Sequence, residues 1–519
     1  MRKKGICRKI LSAALALAMT AGMLAGCGGE TNSTASDKAT KDNASTGAES
    51  GSATGDETTD GAGRTVISVY RESFNLAAPD SAEVEKVQNA INEYIGDKIN
   101  VQIKLTDIGS GEYKDKANLA LSNGEINLLW TASWHETINT DSLVKQQAVY
   151  DLSQVLPGTK LYDSIPEWVW EASRYNGKDY FISCYKESAE GYDLMFRRDL
   201  ADKYNWNLDA VKTLKDIEPM LADCKKEGLK YPYLTQKTAM FHRYYINDFD
   251  FFSQDSLMGV DRESNSVVNI VASDQYREFS KLMCEWAEKG YLSEDDVTKT
   301  TTDTTTQTQD WGISWWTDVP NNSEANARYT QEVTMVPITN AYSHSTTTLG
   351  SCFCVTANST KEQAKACVDF LGLLYTDKQL ADLYTYGIEG VDYDRDSDGA
   401  IVKKGDMYNH SAWESCSVLN LSLESGEPAD KVELYKKFND GSVASCASGF
   451  RFDKTNVEAQ YSACLNVFDQ YGFVLENGGY AKEDVETVIK EYQEALDEAG
   501  YQEVLKEAQS QYEAFKLSK

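Results

Sequence analysis

The amino-acid sequence predicts an α/β fold built on open, doubly wound sheets and closed by a helical C-terminal region. Three observations lead there. From Arg64 to Trp130 the apolar residues alternate between a period of two and a period of 3.6. The strand-like and helix-like stretches follow one another singly, which implies parallel strands joined by right-handed crossovers. From about residue 455 onward only the helical period remains.

The elements read in order as follows. Thr65–Tyr70 is a buried strand, and Asp80-Ser-Ala-Glu83 has the form of a capping box. Val84, Val87, Ile91, Tyr94 and Ile95 then make a helical stripe ending at Gly96. Val101, Ile103 and Leu105 alternate as a second strand. Tyr113, Ala117, Ala120 and Leu121 form a second stripe, and Ile126–Trp130 is a third strand. Tyr175–Ile182 reads as a Gly-turned hairpin entering a strand, and a new unit begins at Leu194, so the chain is expected to cross to a second body near 183–188. Residues 274–289 carry another stripe through Tyr276, Phe279, Leu282, Met283 and Trp286. The Thr/Asp/Gln-rich stretch 298–310 is too polar for a core and reads as a surface loop. Trp311–Trp316, Glu332–Pro337 and Ser351–Thr356 are further strands. The C-terminal stripes run through Val457, Tyr461, Cys464, Phe468 and Tyr471, then Val485, Val488, Ile489, Tyr492 and Leu496.

The amino terminus has its own logic. Met1–Lys9 carries five cationic residues, and an apolar stretch follows that is shorter than the ~20 residues a spanning helix needs. It ends in Leu24-Ala-Gly-Cys27, which resembles the lipobox of bacterial lipoproteins. Residues 1–26 therefore read as a cleaved signal peptide, and Cys27 as the lipid-bearing first residue of the mature chain, anchored at about 0.8 kcal/mol per buried CH₂. Residues 28–63 hold no aromatic side chain. They cannot bury enough apolar surface to offset ordering entropy, so 27–63 is expected to be a disordered tether reaching roughly 30–35 Å.

Bulk properties bound the function. The net charge of −30, more negative still without the basic leader, argues against nucleic acid or an anionic membrane surface as partner. The chain from Arg64 onward is long enough for two or three domains at ~150 residues each. Apart from Cys7 and Cys27 the cysteines are odd in number and irregularly spaced, so mostly free, buried thiols are expected, with room for one or two disulfides.

Three stretches resemble a known family. They are Tyr175–Ile182 with Phe196–Tyr204; Ala357–Leu371 running into Leu374–Asp377 and Tyr386–Tyr393; and Ser448–Val457 with Glu507–Gln511. On these the chain is similar to the extracellular solute-binding protein family 1, the maltose-binding-protein-like receptors of ABC importers. Within it the resemblance is to the Bacillota lipoprotein branch that carries a C-terminal domain of unknown function; residues 406–447 fit the pattern least. The resemblance implies a two-lobed, periplasmic-binding-protein-like fold of type II, each lobe an open α/β sheet, plus C-terminal helices. On this reading residues 64–184 with about 310–340 form the N-terminal lobe, and 185–309 with about 341–420 the C-terminal lobe. Residues 421–519 form a mainly helical C-terminal domain. It also implies a monomeric receptor on the outer face of the cell membrane. Its lobes would close on a solute, an oligosaccharide first of all, and present it to ABC permease subunits.

Candidate ligand contacts follow from position and chemistry. Loops beyond the carboxyl ends of parallel strands form the ligand crevice of open α/β sheets. Here they carry Tyr70, Arg71 and Glu72 after the first strand, and Trp134 and His135 after the third. Tyr185 and Glu187 lie near the expected crossing, Trp311, Trp315 and Trp316 beside a polar loop, and Glu389 within a family-like Gly-Ile-Glu-Gly. Indole faces stack on the C–H faces of sugar rings while carboxylates read hydroxyls, although the same residues also fill cores. Asp394, Asp396 and Asp398 with Gly399 match positions 1, 3, 5 and 6 of a calcium loop. Position 12, however, is Gly405, with Asp406 adjacent, so an acidic hairpin tip is favoured over a calcium site, which stays the alternative, and no other cofactor is expected. Motifs for a nucleophile elbow, a zinc protease, a phosphate loop and a dinucleotide fold are absent from the sequence, and its Ser-x-x-Lys matches, at 142–145 and 183–186, are common by chance. The rival readings are a secreted carbohydrate-active enzyme and a sugar-sensing or adhesion lipoprotein.

Overall fold

Asp80 starts the first helix: its carboxylate accepts from the backbone N–H of Ala82 and Glu83. The capping box stays open, because Glu83 turns to Lys86 instead of reaching back to Asp80. The computed structural model describes residues 58–518 apart from 77, 136–137, 254, 299–309, 321–324, 327–331 and 406. The signal peptide, Cys27, most of the tether and nearly all of the 298–310 stretch lie outside the described residues. The end of the expected tether does not: Thr59 bridges Thr65, and Asp60 holds the backbone and guanidinium of Arg64, so 58–63 is a structured turn.

Sixteen strands are described in chain order. β1 is Thr65–Ser73, β2 Val101–Gly109, β3 Leu128–Thr131, β4 Phe181–Ser183, β5 Tyr192–Arg197, β6 Tyr231–Leu234, β7 Phe249–Phe251 and β8 Met258–Asp261. β9 is Ser266–Asn269, β10 Trp311–Thr317, β11 Val333–Pro337, β12 Tyr342–Ser343, β13 Cys352–Val355, β14 Tyr393–Arg395, β15 Ile401–Lys403 and β16 Val443–Ala444. The first lobe is the sheet β2-β1-β3-β13-β4. β1 is parallel to both β2 and β3, as the crossovers require, and β13 runs antiparallel between β3 and β4. The turn before β4 is Asn176-Gly177 with φ of 51° and 74°, the left-handed pair a two-residue hairpin needs. The second lobe is the sheet β11-β5-β10-β6, beside a three-stranded antiparallel sheet β7-β8-β9.

The two returning segments are exchanged relative to the sequence expectation. Strand β10 pairs with β5 and β6, and β11 with β5, in the second lobe, whereas β13 and the helices Lys361–Leu374 and Lys378–Tyr386 complete the first. Both returning strands are short and largely buried on both faces, so each would fit the interior of either sheet; only the pairing partner decides. Nor do residues 421–519 form a body with a core of their own. Leu421 packs in the first lobe, and the helices Glu458–Val467, Val485–Glu498 and Tyr501–Ser518 bury Tyr461, Tyr492 and Tyr512 in the core built around Tyr276 and Trp286 of the second. All nine described cysteines are free thiols, eight of them buried.

Three chain segments cross between the lobes and are stitched side by side. Glu190 bridges Tyr342, and β12 pairs in parallel with β16. Buried Asn439 accepts from the Ser188 N–H and donates to the Lys186 carbonyl, each at 2.9 Å. These short pairings form a hinge.

Candidate ligand-binding cleft

Between the lobes, over this hinge, lies a cleft of about 1440 Å³. The first lobe contributes an aromatic wall. Trp134, just beyond β3, is 53% exposed, and its orientation is fixed by an indole N–H donated to the Gly350 carbonyl at 2.6 Å. Behind it, fully buried Trp130 donates to Ser351 and packs edge-on to Phe74 at 5.3 Å. Trp413 packs 4.9 Å from Phe74 and 6.4 Å from Trp134, and also lines the cleft. An exposed ring face held by buried rings is a platform for an apolar ligand face.

The opposite wall is Trp315, Trp316 and Phe251–Ser253 of the second lobe. The Trp315 indole donates to the Thr235 carbonyl, and the Arg243 guanidinium stacks 3.7 Å above its ring. His242 lines this wall; burial and the neighbouring Arg243 hold its pKa well below the usual histidine value, so it is neutral. At the hinge Glu190 faces His344 at 3.4 Å and accepts from Tyr192. Burial alone would raise its pKa, but the bonds to His344 and Tyr192 outweigh that and bring it to about 2. Among the described residues the six cleft carboxylates are all paired: Asp141 with Arg451, Glu187 with Lys186, Glu190 with His344, Asp250 with Arg262, Glu424 with Lys403 and Glu427 with Lys431.

Of the sequence-derived candidates, the structure brings Trp134, Glu187, Trp315 and Trp316 together on this cleft. The others lie elsewhere. Arg71 is buried, making two bonds to Asp107 at 2.8 Å, one to Tyr408 and one to the Tyr384 carbonyl, with Tyr384 stacked on it. Tyr70 packs half-buried against the first-lobe core. Glu72 is buried 3.3 Å from His135, and that imidazole stacks behind Trp134, so the pair supports the platform from within. Tyr185 is in the first-lobe core and Trp311 in a cluster with Met195 and Tyr231, both off the cleft. Glu389 is on the surface, paired with Arg395. Asp396 caps its own turn by accepting from the N–H groups of Asp398 and Ala400, and Asp394 pairs with Lys404. Among the described residues no group of three or more His, Cys, Asp or Glu side chains is placed to hold a metal ion.

Sequence reasoning missed Trp413, His344 and Lys454. Trp413 sits in the stretch with least family likeness. Its position is fixed by the buried cluster below: His410 bonds Asp107 at 2.7 Å, and Glu414 accepts from the Ser411 N–H at 2.7 Å.

Two α/β lobes, a stitched hinge and a polar cleft with an aromatic platform define a two-lobed solute-binding receptor. The chain belongs to the bacterial extracellular solute-binding proteins, whose family model matches residues 89–391, and residues 446–517 match a domain of unknown function (DUF3502). A carbohydrate ABC transporter substrate-binding protein of Streptococcus pneumoniae serotype 4 is 25% identical over 480 residues, covering 89% of this chain and 93% of that one. Among solved structures, the N-glycan transport solute binding protein NgtS of S. pneumoniae superposes with a TM-score of 0.75 at 23% identity, covering 87% of this chain and 98% of that one. The same protein in complex with Man5GlcNAc gives 0.65 at 23% identity over 88% and 99%. An extracellular solute-binding protein of Bifidobacterium longum subsp. infantis gives 0.59 at 13% identity over 88% and 99%.

Proposed function

We propose that this protein is the receptor of an ABC importer for an oligosaccharide, tethered through Cys27 to the outer face of the cell membrane and working as a monomer. The observation that carries the reading is the Trp134 platform: an indole held face-out in a cleft larger than the ~300–1,000 Å³ of sites for drug-sized ligands. Such a cleft suits several linked sugar rings. The carbohydrate transporter relative, and the glycan complexes of NgtS, support the same class of ligand. Ligand touching both walls has its highest affinity for the closed state and shifts the hinge equilibrium toward it; permease subunits then recognise that state.

The reading is binding without hydrolysis. A glycosidase needs one carboxyl kept protonated as acid beside a free carboxylate, whereas among the described residues each cleft carboxylate is paired with a lysine, an arginine or, for Glu190, the His344 imidazole. The test is a thermal-shift and calorimetric screen of oligosaccharides, with product analysis after long incubation. A saturable rise in melting temperature with intact sugar supports the receptor; cleavage products, or no binding by any glycan, overturn it. Anchoring is tested apart: Cys27→Ser should release the protein from the membrane fraction.

A further inference from the structure

The domain of unknown function reaches the cleft through Lys454. This residue lines the cleft between Phe452 and the helix Glu458–Val467, with its ammonium 4.0 Å above the Tyr461 ring. Among the described residues every cleft carboxylate already has a partner, five of them a lysine or arginine and Glu190 the His344 imidazole, and Lys454 is left over. Among the described residues it makes no ion pair and its ammonium donates no hydrogen bond. The acids that act on it are engaged elsewhere. Asp255 accepts from Tyr461 at 2.9 Å and from the Leu257 N–H at 3.1 Å, and Asp141 accepts from Tyr175 and Arg451. Burial accordingly pushes the Lys454 pKa below the usual lysine value. A partly desolvated ammonium with spare donors is costly to a folded chain unless something else completes its hydrogen bonds.

We propose that Lys454 is a ligand-contacting residue, donating to oxygens of an oligosaccharide, so that the C-terminal domain forms part of the binding site. Its position on the cleft, its spare donors and its aromatic seat together carry this. The inference rests on the receptor reading above.

The test uses the purified protein with neutral tetra- to octasaccharides. Lys454→Met keeps the apolar stem over Tyr461 and removes the charge. It is expected to weaken binding about tenfold or more, the usual scale for a hydrogen bond to a charged group, with the melting temperature of the free protein level or raised, since the desolvated charge is gone. Saturating sugar should also protect Lys454 from acylation by an amine-reactive ester, read by mass spectrometry, which a purely structural lysine would not show. Wild-type binding with unchanged Lys454→Met affinity and no protection overturns this inference alone. No binding by the wild type overturns the receptor reading, and this inference with it.

Discussion

Arg451 lays its guanidinium 3.8 Å above the Tyr175 ring of the first lobe, with Nη1 donating to Asp141 at 3.2 Å. Its neighbours Phe450 and Phe452 pack on Phe252 of the second lobe, and Phe450 also packs on Tyr512 of the C-terminal helices. The stretch 450–452 is thus a strap across both lobes, beside the hinge.

Removing its grip should change lobe motion more than stability. Asp141 is largely exposed, so screening leaves the Arg451 contacts worth about 1 kcal/mol or less. Arg451→Ala is expected to broaden the interlobe distance distribution measured between two spin labels, one per lobe, in ligand-free protein. A distribution identical to wild type would mean that the strap does not restrain the hinge.

Two tryptophans proposed from the same reasoning should behave oppositely. Trp134 presents its ring to the cleft, and Trp134→Ala is expected to reduce glycan affinity by about 2 kcal/mol, near thirtyfold, at little cost in stability. Trp311 is fully buried beside Met195 and Tyr231, and Trp311→Ala should cost about 3–5 kcal/mol in denaturant unfolding. If chemical denaturation ranks them the other way, the assignment of platform and core is wrong.

That contrast marks how far the sequence could be read. The alternation from Thr65 to Trp130 and the stripes from Val457 to Leu496 are local signals, each carried by the period of its own segment. Trp134 could be placed because it follows a parallel strand, where the crevice must be. Arg71 and Glu72 follow the same rule yet turn inward, since their partners Asp107, His410 and His135 are brought beside them only by the fold. Trp311 and Trp315 share one short strand, and no local pattern says which ring the sheet will cover. Trp413 and Lys454 reach the cleft from late segments whose position depends on the hinge pairing of β12 with β16, a contact across about a hundred residues.

The cluster under Trp413 makes stability depend on pH at both ends. Burial would raise the pKa of Asp107, but Arg71 and His410 outweigh it and hold the carboxyl well below its usual range. Burial and Arg71 lower that of His410, yet Asp107 and Glu414 raise it overall. The Asp107 contribution is present above pH ~4 and disappears as the pH falls toward its depressed pKa. The His410 contribution is complete below pH ~6.5 and is lost as the pH rises through its elevated pKa. Asp107→Asn should therefore destabilise by about 3–5 kcal/mol at pH 6, leaving buried Arg71 without its carboxylate and His410 with Glu414 alone. His410→Gln should flatten the decline in melting temperature between pH 6.5 and 8.5. An unaltered slope would show that His410 does not titrate there.

A second acid works with the opposite sign. Glu476, from the C-terminal region, is fully buried and accepts from the N–H groups of Met240 and Phe241, capping the turn that carries His242 to the cleft. Burial pushes its pKa up to about 8 despite those bonds, which favour the carboxylate. Between about pH 4.5 and 8 the native state therefore holds a proton that the unfolded chain has released, and stability falls as the pH rises. Glu476→Gln keeps an acceptor oxygen without a titrating group, so it should melt higher than wild type at pH 8 and nearly the same at pH 5. Glu476→Ala leaves two buried N–H groups without their acceptor and should lose about 1–3 kcal/mol at every pH. Glycan affinity should fall in the alanine variant as the His242 wall loosens and persist in the glutamine variant. Equal melting of wild type and Glu476→Gln at pH 8 would show instead that the carboxylate is already ionised and stabilised by those two amides.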